Sequence, residues 1–200
     1  MPTLRVALTV WLATGLLFGS AHAQTQRPPI QAKDMRDVSL RTGKEVLPAA
    51  MELMKKHPDI AAAAKEFEAD NMKIVPEGLT LVSFRRGVEQ FQVLYIPYAP
   101  SSRDLNRVYV VVFAQGPKGT QGVTAVAQFQ ADQPPQVLKD IAFKEGKPQP
   151  SSAFKDWLKC AGGGCVIGTV GCAFTDGLFL ACTAVTCPVV ATVCWLNTLW

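Results

Sequence analysis

Apolar residues change their spacing three times along the chain. Val6 to Phe18 is a continuous apolar run with no charge. From Lys44 to His57 the apolar positions Val46, Leu47, Ala50, Met51 and Met54 fall on one face of a helix. Pro48 fits only the first turn of that helix, where its missing N–H costs nothing. After the His57-Pro58 break, Asp59 is expected to cap a second helix through Asp70. The period then shortens. Leu79 to Phe84, Phe91 to Tyr98, Arg107 to Ala114, Val123 to Gln130 and Leu138 to Phe143 are β-branched and aromatic runs. Gly87, Pro100-Ser101-Ser102, Gly116-Pro117-Lys118-Gly119 and Pro134-Pro135 separate them. Short connections between five such runs predict an α+β domain, two helices packed on one face of a five-stranded antiparallel meander. Gly146 to Ser152 reads as the start of a linker, and a third apolar stretch fills 160–200.

The expected organisation is therefore a leader over 1–23, an exported domain over 24–147, a linker over 148–159 and a hydrophobic segment over 160–200. The leader has a positive start at Arg5, an apolar core of about thirteen residues, too short to span a bilayer comfortably, and the small residues Ala21 and Ala23 flanking His22. That pattern places a signal cleavage between Ala23 and Gln24 and sends the product to the secreted or envelope compartment.

Composition sharpens the segmentation. Hydrophobic residues make up 48% of the chain and charged ones 18%, with a mean hydropathy of +0.15. The net charge of +4 is too small for a default nucleic-acid binder. Nearly all charge lies in the middle, since 1–23 holds only Arg5 and 160–200 only Asp176.

The middle domain shows no catalytic pattern. Once His22 has left with the leader, His57 is the one histidine, and it reads as a surface residue at a helix end. No nucleophile elbow, metalloprotease helix, phosphate loop or dinucleotide fingerprint is present. Glu66, Glu68 and Asp70 read as a solvated acidic face. Arg85 and Arg86 could meet phosphate, though neighbours on a strand point to opposite faces. No enzyme activity, cofactor or metal is implied.

The chemistry sits in the cysteines. Cys160, Cys165, Cys172, Cys182, Cys187 and Cys194 repeat the pattern C-x4-C-x6-C twice, around a turn at Asp176-Gly177. An even count in an exported chain favours disulfides over zinc, and no histidine lies nearby. On a helix at about 100° per residue, each triplet falls on one broad face. Two helices folded back at Asp176-Gly177 bring those faces together. Nested pairs, Cys160 with Cys194, Cys165 with Cys187 and Cys172 with Cys182, keep a nearly constant sum of residue numbers, as antiparallel partners must. The rival set, Cys160–Cys182, Cys165–Cys187 and Cys172–Cys194, needs parallel segments. Helices of about sixteen residues are about 24 Å long, close to a bilayer's apolar thickness. Phe179, Trp195 and Trp200 then qualify as membrane-interface residues.

The order of parts, together with Gly164-Cys165, Gly171-Cys172-Ala173 and Pro188 after Cys187, resembles the halocin-type bacteriocin precursors. The resemblance implies that 160–200 is a membrane-active antimicrobial peptide whose partner is the target-cell membrane or lipid. It also implies that the middle domain masks the peptide or confers immunity. The alternative is an uncleaved exported or envelope-associated protein, whose disulfide-pinned hairpin docks on its own core or on a partner.

Overall fold

The computed structural model describes residues 30–100, 107–128, 136–161 and 186–199. It is an α+β fold built on one large antiparallel sheet. The strands are β1 (Arg36–Thr42), β2 (Met72–Ile74), β3 (Thr80–Arg86), β4 (Glu89–Pro100), β5 (Arg107–Gly116), β6 (Gly119–Gln128), β7 (Gln136–Lys144) and β8 (Lys147–Pro150). Their order is β1-β3-β4-β5-β6-β7-β8, and β2 pairs with the far end of β4. The meander from β3 to β8 follows from the short turns. Gly87, Gly119 and Gly146 all take positive φ there, which glycine adopts without steric cost.

The expected count of five strands is corrected to eight among the described residues. β1 (RDVSLRT) is mostly exposed and carries too little apolar alternation to stand out. β2 has three residues. β8 is Lys-Pro-Gln-Pro at the sheet edge, where prolines without N–H are tolerated. Residues 148–159, expected to be a linker, instead form β8 and most of a helix.

Helix α1 (Leu47–Lys56) places Pro48 in its first turn, preceded by a 3-10 turn over Gly43–Val46. Helix α2 (Pro58–Ala69) starts one residue before Asp59, so His57 takes the cap position and Asp59 lies in the first turn. Both helices cover one face of the sheet. Val46, Ala50, Ile60, Ala64 and Phe67 pack with Leu94, Ile96, Val111 and Phe113. Gly122 on β6 lets α2 approach closely, because a Cβ there would overlap the Ile60 side chain.

The opposite face is equally apolar. Val82, Phe84, Val93, Tyr95, Val110, Val112, Val123 and Ala125 all point to it. It is covered by helix α3 (153–161) and helix α4 (Thr186–Leu199). Central strands buried on both sides need no polar alternation, which is why Val108 to Ala114 reads as an unbroken apolar run.

Candidate functional site

The candidate site is the layer in which the cysteine-rich segment meets the sheet. Two hydroxyl-bearing residues close β8 and start α3. Ser151 Oγ accepts the Ala153 N–H at 2.8 Å, and Ser152 Oγ donates to Asp156 at 2.6 Å. Asp140, reaching over from β7, accepts the N–H groups of Phe154 at 2.8 Å and Lys155 at 3.3 Å. Its carboxyl is held above the ordinary aspartate range by burial, against the pull of those two backbone donors.

From this cap, α3 sends Phe154, Trp157 and Leu158 into the core. α4 answers with Ala191, Cys194, Trp195 and Leu196. The two indoles stack, centroids 4.9 Å apart and planes 19° from parallel. Phe154 lies 5.2 Å from Trp157 and 6.0 Å from Trp195. Trp157 Nε1 donates to the Ala191 carbonyl at 2.9 Å. On the sheet side, the Tyr95 hydroxyl shares a 3.3 Å hydrogen bond with Thr192 Oγ1. Burial pushes the Tyr95 phenol far up, and the Thr192 bond only partly opposes it.

Two further ties fix α4. The Cys160–Cys194 disulfide joins it to α3, with Cα atoms 5.7 Å apart. Asn197 grips the start of the described chain. Its Oδ1 accepts the Ile30 N–H at 2.7 Å and its Nδ2 donates to the Ile30 carbonyl at 2.9 Å. Ile30 and Met35 lie in the same apolar cluster as Trp195. A segment at one end of the fold thus straps the helix at the other.

Of the residues singled out in the sequence, Cys160 and Cys194 are brought together, a pair belonging to the nested set. Trp195, expected at a membrane interface, is fully buried. Its ring packs inward against Trp157 and Phe154 of α3, in the apolar layer that covers this face of the sheet. Ala23, Gln24, Cys165, Cys172, Asp176, Gly177, Phe179, Cys182 and Trp200 lie outside the described residues, as does the Cys187 side chain. Among the described residues no helix is long and apolar enough to cross a membrane, and no group of side chains could hold a metal ion.

Sequence reasoning missed Trp157, Thr192, Asn197 and Ile30. The available signal was the unbroken Val108–Ala114 run, since two helices cannot cover both faces of a sheet. His57 stands at the helix end, as expected, and is half-buried there. It lies against Phe113, ring centroids 5.6 Å apart. Burial lowers its pKa, Lys56 adding to the effect. Glu66 is ion-paired with Lys139, and Asp70 accepts the Tyr109 hydroxyl at 3.1 Å.

No family model matches the chain, and neither a curated protein nor a solved structure proved similar to it.

Proposed function

We propose that this chain is an exported, bacteriocin-like precursor in which the sheet domain holds its own hydrophobic cysteine-rich segment in a masked form. One observation carries the reading: Ala191, Cys194, Trp195 and Leu196 are buried between α3 and the sheet. Freed, α4 would show water an uncharged surface that a two-helix unit is too small to hide. Such a surface partitions into lipid, and the mask withholds it until release. The segment 160–200 is the membrane-active part. The sheet domain is the mask and would confer immunity by covering the same apolar face.

The test compares the oxidised peptide 160–200 with the oxidised full chain from Gln24. The peptide is expected to leak dye from anionic vesicles, shift its tryptophan emission to the blue and inhibit a bacterial lawn. The full chain is expected to do none of these. A peptide that neither binds vesicles nor inhibits any lawn sinks the reading.

One observation favours the uncleaved alternative. Residues 147–161 offer no open linker, since β8 pairs with β7 and α3 is capped through Asp140 and Ser151. In that reading the segment is a permanent layer of an exported or envelope-associated protein. Intact mass of the exported product separates the two. A fragment beginning near Cys160 and lacking its thiol hydrogens supports the precursor, and an uncut chain from Gln24 supports the permanent layer.

A further inference from the structure

A second region of the molecule carries chemistry of its own. An open cleft of about 630 Å³ lies between the turn at Gln31–Asp34 and the β3–β4 hairpin, lined by Lys33, Arg36, Arg85 and Arg86. The sequence separates these cations by some fifty positions, and the pairing of β1 with β3 brings them together. Arg85 and Arg86 both reach the cleft, although strand alternation alone sends neighbours apart, because they sit where β3 ends at the Gly87 turn.

Three features set the cleft apart from an ordinary solvated surface. Arg36 and Arg85 are direct cross-strand partners. Like charges in that position destabilise a sheet, and an anion between them would turn repulsion into attraction. Asp37 holds a positive φ of 51° in the β1 bulge, an uncommon conformation for a non-glycine residue. There its carboxylate meets the Arg85 guanidinium at 2.5 Å and orients it. Asp34, the one carboxylate in the cleft wall among the described residues, turns its Oδ2 back to accept the Gln31 N–H at 3.1 Å. Glu89 faces Arg86 across the hairpin, which leaves Arg36 and Lys33 as the cations with no carboxylate partner among the described residues.

We propose that this cleft is a binding site for a phosphate-class anion, with Arg36 and the Asp37-oriented Arg85 as its principal ligands and Lys33 supplying further charge. Guanidinium groups present paired N–H donors that match phosphate oxygens. The same chemistry serves a free phosphate and the headgroup of an anionic lipid. The proposal does not depend on the masked segment being membrane-active.

The experiment uses the oxidised full chain from Gln24 at about 0.15 M salt, where surface attraction beyond about 8 Å is screened. Inorganic pyrophosphate is titrated by calorimetry and by thermal shift, and vesicles of phosphatidylglycerol or phosphatidylcholine are tested by co-sedimentation. Pyrophosphate is expected to bind saturably and raise the melting temperature. Arg36→Gln should weaken binding about tenfold, the loss of one charge-assisted hydrogen-bonding group. Arg36 is exposed on an edge strand, so that variant should melt no lower than the parent when no anion is present. Lys118→Gln, an exposed cation in the β5–β6 turn, should bind like the parent. Arg36-dependent binding to pyrophosphate alone identifies a free anion. Arg36-dependent binding to phosphatidylglycerol alone identifies a headgroup. Absence of both, or equal weakening by Lys118→Gln, overturns the proposal.

Discussion

Trp157 and Trp195 occupy the same apolar layer and differ in one hydrogen bond. Trp157 gives its N–H to Ala191, whereas the buried Trp195 N–H finds no partner among the described residues. Replacing either by phenylalanine removes similar volume. In Trp195→Phe the lost packing is offset by removing an unpaired polar atom, so the expected cost is about 1 kcal/mol or less. In Trp157→Phe the hydrogen bond goes too, and the expected cost is about 2–3 kcal/mol. Urea unfolding of the two variants checks the order, and equal costs would contradict this account of the layer. Tyr98 gives a second prediction at this scale. Burial, with the Glu68 carboxylate adding to it, pushes its phenol up to about 12. The folded state therefore keeps a proton that the unfolded state loses from about pH 10 upward. Stability should be intact below that pH and fall by about 2–3 kcal/mol as pH rises through 12, with Tyr95 steepening the loss. Phenolate absorbance should appear together with loss of circular dichroism. Free ionisation at pH 10 in a folded chain would contradict it.

Among the elements, α3 depends most visibly on a residue outside itself. Asp140 accepts two of its first N–H groups from the neighbouring strand. Asp140→Ala should cost about 1–2 kcal/mol, in line with other helix caps, and speed amide exchange at Phe154 and Lys155. Unchanged exchange there would mean that Ser151 and Ser152 suffice. The same region shows where the sequence stopped being legible. The five central strands and both early helices could be placed within a few residues, because Val108–Ala114 or Ala61–Ala64 has strong local character. β1 and β8 could not, since their pairing comes from the sheet rather than from their own residues. Lys-Pro-Gln-Pro looks like a linker until β7 supplies an edge. Of the candidate site, the Cys160–Cys194 pair was visible in the antiparallel spacing. The burial of Trp195 in the intact chain was not legible, because its local surroundings, Val-Cys-Trp-Leu, look alike whether they face lipid or a sheet.

At the scale of the whole molecule, the sheet stands between two helical layers that differ in how they are held. α1 and α2 follow one another in sequence and are joined directly. α3 and α4 are held by the Cys160–Cys194 bridge, the indole stack and the Asn197 grip on Ile30. Asn197→Ala removes both of its hydrogen bonds and leaves the Ile30 backbone pair unmet. Expected losses are about 1–3 kcal/mol, with faster amide exchange concentrated in α4 and at Ile30. Exchange that quickens equally in α1 and α2 would show that the grip has no particular hold on this layer.

The Ile30–Asn197 tie also has a consequence in time. A polypeptide is made from its amino end onward, and here the core residue Ile30 waits for a partner 167 positions later. At about 5–20 residues per second, about ten to thirty seconds separate the appearance of Ile30 from that of Asn197. Within that interval β3 to β6 can form their hairpins and gather α1 and α2, while the other face of the sheet still lacks α4. The finished protein hides that face, but every unfinished copy displays it. Chains that end before Cys194 should therefore precipitate or cling to chaperones instead of persisting as soluble domains, and the hazard ends only when α4 arrives.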